Sequence, residues 1–395
     1  MKVVKRDGKV EKFDKERIFK AVEKAINATD VQTNIAEIVD DICQKIGQQE
    51  KIQVEEIQNF VENALMEKKL FTTAKAYIIY RKQRQEVRKV AKVLGISDPF
   101  HMPLNSLQIL AARYLRKDKD RKIIETPKQL YERVAKNIAI IDKKYGATKE
   151  QVKETEKDFY DMMINFDWCP NSPTLMNAGT KLAQLAACFV FPIEDSISGI
   201  FDALKWTALT QQAGGGTGFS FSKLRPEGDV VQSTGGIASG PITFMEVFNT
   251  ATETIKQGGK RRGANLGTLR CNHPDIFKFV TAKSSEGKLE NFNLSIGATD
   301  EFMESVEKGK MYNLVNPRSG EVVRQENARS IFDLAVHEAW KTGDPAFLFL
   351  DTINKSVSNC IPKYGPIESS NPCGEICMYP FESCNLGSIN LSNIV

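Results

Sequence analysis

Asn371-Pro-Cys-Gly-Glu375, with Ser383-Cys-Asn-Leu-Gly-Ser388 close behind it, concentrates more chemistry than any other stretch of this chain. Run as an extended strand, the first five residues place Asn371, Cys373 and Glu375 on one face, because side chains alternate with a period of two. A sulfur then lies between an amide and a carboxylate. Pro372 fixes φ and Gly374 permits backbone angles that other residues avoid, so the pair holds a small site rigidly and lets a ligand approach the main chain. Cys384 follows eleven residues after Cys373, far enough for the chain to turn back and bring a second sulfur alongside.

Cys360, Cys373, Cys377 and Cys384 share one short segment, which raises a zinc site and buried core thiols as further readings. Structural zinc favours cysteine pairs two to four residues apart, and only Cys373 and Cys377 are so spaced. Core thiols leave the flanking Asn371 and Glu375 unexplained, since glutamate is seldom buried without a partner.

At 395 residues the chain has room for more than one domain and a large core, and its 41% hydrophobic and 26% charged residues are those of an ordinary globular protein. No run of eighteen apolar residues occurs, and Met1-Lys-Val-Val-Lys-Arg-Asp-Gly8 lacks the apolar stretch of a signal peptide. A cytoplasmic protein without membrane contact is therefore expected. Eight cysteines in so long a chain do not make a disulfide scaffold, and three histidines argue against a histidine-rich metal centre. A net charge of +4 is too small to signal direct nucleic-acid binding, and the basic runs at 81–84, 88–89 and 113–122 read as solvated helix faces.

Toward the N-terminus, Val3 to Phe13 reads as two short strands about an Asp-Gly turn, after which Asp14 caps a helix with apolar positions Ile18, Val22, Ala25 and Ile26. Helices are predicted at about 33–47, 54–68 and 72–92, then a linker at 95–99. Helices over 104–115, 127–145 and 149–165 carry apolar residues every three or four positions, as in Leu130, Val134, Ile138 and Ile141, and read as packing elements.

At Pro170 the composition changes. Pro170-Asn-Ser-Pro-Thr-Leu-Met-Asn-Ala-Gly179 is a turn-rich loop suited to cradling an anion, and 185–192 reads as a buried strand bearing Cys188. A helix over 197–212 leads to Gly214-Gly-Gly-Thr-Gly-Phe-Ser-Phe-Ser222, which matches neither a Walker loop nor a dinucleotide fingerprint and reads as a turn into a strand at 217–222. Loops at 223–229 and 233–240 precede a helix at 244–257. Gly258-Gly-Lys-Arg-Arg-Gly-Ala-Asn-Leu-Gly267 sets three cations between glycines, which suggests phosphate contact or a surface turn. Beyond it, helices at 274–284, 300–308 and 328–342 alternate with strands at 292–298 and 346–350 and a hairpin at Gly320, the pattern of an α/β sheet or barrel.

The 371–375 segment with Glu382-Ser-Cys-Asn-Leu-Gly-Ser-Ile-Asn-Leu391 resembles the active-site segment of the ribonucleotide reductase catalytic subunit, particularly the adenosylcobalamin-dependent class. Asn171-Ser-Pro-Thr-Leu-Met-Asn-Ala-Gly179 followed by a strand with a central cysteine is similar to that family's substrate-phosphate loop and first redox cysteine. The N-terminal hairpin and helical bundle resemble the ATP-cone, an allosteric nucleotide-binding domain.

The resemblance implies an α/β protein: an α-rich ATP-cone over 1–92, a helical segment over 93–165, then over 166–395 the first part of a ten-stranded α/β barrel with specificity loops and an active-site finger. It implies reduction of ribonucleotides to 2′-deoxyribonucleotides for DNA synthesis. In that chemistry Cys373 becomes a thiyl radical, Glu375 is the general base, Asn371 binds the sugar, and Cys188 and Cys384 close as a disulfide. Substrate would be held by Ser172, Thr174, Ala187, Asn371 and Glu375. An effector deoxynucleotide would meet Asp195, Ser196 and Arg225, with Lys260, Arg261 and Arg262 in a mobile loop running to Leu266. In the ATP-cone, Lys5, Arg6, Lys9 and Arg17 would hold ATP or dATP phosphates, with Glu11 near them.

The implied cofactor is adenosylcobalamin, the reductant an external dithiol of thioredoxin type, and the assembly a homo-oligomer. Two alternatives stand beside this: a reductase using a separate metal radical subunit, or a nucleotide-binding regulator that catalyses nothing. The family's second half-barrel and tail cysteines are not in this sequence, so a separate chain or a missing segment is expected to complete the barrel, and the chain alone is expected to be inactive.

Overall fold

The computed structural model describes residues 1–6, 8–29, 31–47, 49–96, 102–231, 235–255 and 263–394. The chain divides into two units, residues 1–108 with 121–123, and residues 109–120 with 124–395.

In the first unit, strands Lys2–Val4 and Val10–Lys12 pair as the expected hairpin, and a third strand, Lys51–Gln53, adds in parallel to Lys2–Val4. That third strand is not foreseen by the sequence: three residues carry no usable periodicity, and the pairing partner is distant in the chain. Helices Lys15–Asn27, Ile35–Ile46, Val54–Glu67 and Phe71–Leu94 complete the unit. Asp14 caps the first by accepting from the Glu16 amide at 3.0 Å. The helices pack through Val22, Val39, Ile42, Val61 and Leu65, all nearly inaccessible to solvent.

In the second unit, Pro127–Ala139 and Lys149–Ile164 pack against one another, each opened by a reciprocal capping box, Thr126 with Gln129 and Thr148 with Gln151. The main sheet follows: β1 (Cys188–Phe191), β2 (Gly216–Ser220), β3 (Asn265–Arg270), β4 (Phe292–Ala298), β5 (Ala346–Phe349) and β6 (Ser383–Cys384). β1 to β5 are parallel neighbours in sequence order, and β6 returns antiparallel along the free edge of β1. Helices Ile197–Gln212, Gly240–Thr254 and Ala328–Thr342 lie in the crossovers, as parallel strands require. The result is five consecutive parallel strands, the first part of the ten-stranded barrel.

Several helix limits depart from the sequence pattern: the α-helices expected over 104–115 and 127–145 end at Ile109 and Ala139, passing into a π turn and a 3-10 turn. Gly240-Pro241 opens its helix earlier than Phe244, because proline suits the first helical position. The helix expected over 274–284 shrinks to Ile276–Val280, since Asp275 donates its amide to His273 Nδ1 and holds the preceding residues in a turn.

Six phenylalanines, Phe219, Phe221, Phe248, Phe279, Phe292 and Phe302, are the largest fully buried side chains of this unit. Phe219 meets Phe248 edge to face at 5.1 Å and Phe221 at 5.9 Å. Phe219→Ala is expected to cost about 3–5 kcal/mol by urea denaturation, through lost transfer energy and the cavity left behind. A loss below about 1 kcal/mol would mean that this core is not a packed one.

Candidate active site

The 371–375 segment is not extended. Ser369–Ser370 pairs antiparallel with Cys377–Met378, making a finger whose tip is residues 371–376. Within the tip the Gly374 amide donates to the Asn371 carbonyl at 3.0 Å, closing a β-turn with Pro372 in its favoured second place. Gly374 has φ +83°, which explains glycine there. The Asn371 amide donates to the Ile376 carbonyl at 3.0 Å, and the Ile376 amide returns a bond to Asn371 Oδ1 at 3.1 Å. Asn371 is therefore fully buried and clamps the neck of the turn, while Cys373 and Glu375 stand exposed beyond it. The one-face alternation expected for the three residues is replaced by this turn, because the proline and glycine favour reversal over extension.

The finger lies across the sheet. Ser369 Oγ meets Thr268 Oγ1 of β3 at 3.3 Å, and Asn293 of β4 donates to the Pro372 carbonyl at 2.7 Å. A Cβ on Gly216 would stand 2.7 Å from Pro372 Cγ, and one on Gly218 would stand 1.8 Å from the Ser370 carbonyl oxygen. The glycine-dense stretch at 214–222, expected to turn into a strand, does so as β2 and is also the bed of the finger.

Cys188 and Cys384 face one another across the β1–β6 pair, both buried, in a small apolar cluster with Ala187, Val190 and Met378. None of the eight cysteines is in a disulfide. Asn371 Nδ2 points at Cys188 Sγ, 3.5 Å away. Burial, then the charge of Cys188 and its hydrogen bond, then Glu375, push the Cys384 thiol up to about 12. Asn371, Cys188 and Cys384 are thus brought together, with Cys373 and Glu375 on the turn that Asn371 closes. Among the described residues no group of three or more His, Cys, Asp or Glu is arranged to hold a metal ion.

The loop at 171–179 joins the same region. Asn171 Nδ2 donates to Asn385 Oδ1 at 3.1 Å, and the Asn171 amide to the Leu386 carbonyl at 3.0 Å, so this loop is tied to the residues after Cys384. Ser172 Oγ lies 2.8 Å from Tyr114 Oη. Thr174 is buried, donating its hydroxyl to the Leu185 carbonyl at 3.1 Å, and so braces the loop from inside. Ala187 is also buried, its amide on Cys384 and its carbonyl on Gly216, 2.9 and 2.8 Å away.

Sequence reasoning missed Tyr114 and Arg133. Arg133 grips Glu125 with two nitrogens, at 2.7 and 3.1 Å, and donates to the carbonyls of Leu175 and Ala178 at the end of the short helix Ser172–Asn177. No local pattern marks either residue, because each acts on a segment dozens of positions away.

Asp195 and Arg225 form an ion pair, Arg225 Nε donating to Oδ2 at 2.8 Å, and Ser196 caps helix Ile197–Gln212 by accepting from the Gly199 amide at 3.1 Å. Lys260, Arg261 and Arg262 lie outside the described residues. Asn265 and Leu266, expected as the end of that mobile loop, are buried strand residues. Asn265 Oδ1 accepts from Thr217 and Gln211 at 2.7 and 2.9 Å, and its Nδ2 donates to Thr252 Oγ1 at 2.9 Å, which anchors the loop's exit.

In the first unit Lys5, Glu11 and Arg17 meet around a cavity of about 130 Å³, with Arg17 donating to Glu11 at 2.7 Å and Lys5 3.4 Å from the same oxygen. Arg17 and then Lys5 hold the Glu11 carboxyl below its ordinary value. Arg6 is drawn instead to Glu55 and Gln58, and Lys9 is exposed.

Residues 186–395 match the barrel domain of ribonucleotide reductase, 102–183 its all-alpha domain and 1–86 the ATP cone domain. The chain belongs to the ribonucleotide reductase family. It is 44% identical over 454 aligned positions to a vitamin B12-dependent ribonucleoside-diphosphate reductase of Thermoplasma acidophilum, covering all of this chain and 59% of the relative. A Mycobacterium tuberculosis protein of the same description is 43% identical, covering all of this chain and 57% of the relative. The ribonucleoside-diphosphate reductase large subunit of Trypanosoma brucei brucei is 32% identical over 69% of this chain and 35% of the relative. The chain thus spans a little under three fifths of the length of the first two. Among the described residues no helix is long and apolar enough to cross a membrane.

Proposed function

We propose that this chain carries the thiol centre of a cytoplasmic, cobalamin-dependent reductase that converts ribonucleoside diphosphates to 2′-deoxyribonucleotides. The observation that carries this is the facing pair Cys188 and Cys384, touched by Asn371 under a turn that exposes Cys373 and Glu375. The vitamin B12-dependent relatives favour cobalamin over a separate metal radical subunit, and Cys373, exposed at the tip, is the residue that would meet such a group. Adenosylcobalamin, when bound, supplies the one-electron oxidation of a thiol.

Cys373, as a thiyl, takes the 3′-hydrogen of the ribose and later returns it, while Glu375 accepts the 3′-hydroxyl proton. The 2′-hydroxyl leaves as water with one hydrogen from the Cys188–Cys384 pair, and carbon 2′ receives the other. The pair loses two electrons and closes as a disulfide, which an external thioredoxin-like dithiol reopens. Asn371 keeps Cys188 aligned and presents the tip to the sugar. Ser172 and the amides of its loop, braced by Thr174, hold the substrate phosphates, with Ala187 as part of the wall. Asp195, Ser196, Arg225 and the 260–262 cations receive a deoxynucleotide effector, and Lys5, Arg6, Lys9, Glu11 and Arg17 receive ATP or dATP. Ile197, Phe201 and Leu209, apolar and exposed along one helix, suit contact with a second copy.

The test is anaerobic conversion of a ribonucleoside diphosphate by the complete enzyme with a dithiol, with and without adenosylcobalamin. Product only with the cobalamin is the expected result. Full activity without it, supported by a separate metal-containing protein, would overturn the assignment.

A further inference from the structure

The hairpin Met311–Val315 with Val322–Asn327 stands outside the main sheet, in the crossover between β4 and β5, and supplies nothing to the thiol centre. Its turn reaches the arm that follows β2. In that arm Val230–Val231 pairs with Gly236–Ile237, and the base is closed by Gly228 donating to the Ala238 carbonyl and Ala238 to the Asp229 carbonyl, at 2.9 and 2.8 Å.

The Asp229 carboxylate accepts four bonds: from the Val230 amide at 2.8 Å, Asn316 Nδ2 at 3.0 Å, Arg318 Nε at 3.0 Å and Arg318 Nη2 at 2.8 Å. The Arg318 pair, first among these, holds its carboxyl far below the usual range. Asn316 is itself fixed, since its Oδ1 accepts from the Arg318 amide at 2.9 Å and its carbonyl from Gly320 at 2.8 Å. The Val230 peptide passes this constraint on. Its amide is bound to Asp229, and its carbonyl accepts from Arg225 Nη1 at 3.4 Å, the residue whose Nε holds Asp195.

We propose that Arg318 and Asn316 are positioning residues that hold Arg225 and Asp195 in the geometry that receives the phosphate and ribose of a deoxynucleoside triphosphate. This rests on the effector role given to Asp195 and Arg225 above. Bidentate guanidinium–carboxylate contacts are directional, so removing the guanidinium frees the arm to rotate without emptying a core.

The test is equilibrium binding of dTTP to the complete enzyme. Arg318→Ala is expected to weaken dTTP binding about ten-fold, and Arg318→Lys by less, since one donor remains. Turnover at saturating dTTP is expected to match wild type, with only the activation constant moved, a split that general destabilisation would not produce. Arg318→Ala and Arg318→Lys both binding dTTP within about two-fold of wild type would overturn the proposal alone. Wild-type enzyme that binds no dTTP would overturn the effector role and this proposal with it.

Discussion

Cys384→Ser is expected to lower multiple-turnover reduction about a thousand-fold, and Cys188→Ser or the double variant about as much, because residues that act as one unit are not additive. The two residues are direct cross-strand partners on β1 and β6. Facing positions in an antiparallel pair have Cα atoms roughly 4.5–5.5 Å apart, inside the window a disulfide needs, so the bond can close and reopen without moving either strand. Mild oxidation of the chain should accordingly cross-link Cys188 to Cys384, seen by mass spectrometry with an unchanged circular dichroism spectrum.

The raised Cys384 value has a direction as well. A thiol held neutral up to about 12 keeps its proton at ordinary pH and resists alkylation, so carboxymethylation of Cys384 should stay slow until the pH approaches that value. The unfolded chain ionises this thiol sooner than the native one. The native state thus keeps the extra proton between the ordinary thiol value and about 12, and this residue's contribution to stability falls as pH rises through that window. Independent, multiplying losses in the two single variants would refute the shared role. So would rapid labelling of Cys384 at neutral pH in the folded chain.

Gly218→Val is expected to reduce turnover about a hundred-fold, the scale of a displacement of about 1 Å at a reacting group. A Cβ at this position would lie 1.8 Å from the Ser370 carbonyl oxygen, and backbone cannot rotate aside as a side chain can. The finger must retreat roughly 1.6 Å to restore ordinary contact, carrying Asn371 away from Cys188 and displacing Cys373 with it. Stability should fall by about 1–3 kcal/mol, as for other overpacked sites. Gly309→Ala, with open space around its Cβ but φ +60°, is the control, costing stability through the backbone while leaving the finger in place. Equal losses of turnover in the two variants would show that the bed under the finger is not what Gly218 supplies.

Much of this protein is legible in its residues alone. Helical spacing and caps locate Lys149–Ile164 and Ala328–Thr342 to within a residue, Asp14 marks the start of Lys15–Asn27, and β4 falls on its predicted limits, because amphipathic period and end residues are local properties. The wording around Asn371, Cys373, Glu375 and Cys384 by itself carries the resemblance to the family.

What only the tertiary structure decides is which distant groups meet. Gly216 and Gly218 read only as a turn entering a strand, with nothing to show that a finger lies on them, and no local pattern links Arg318 to Asp229, 89 positions away. Cys188 and Cys384, nearly two hundred residues apart, become partners through one antiparallel strand pair. Local sequence specifies periodicity and chain reversal. Long-range pairing depends on how buried surfaces and hydrogen-bond donors are shared across the whole sheet, and no short window contains that sum.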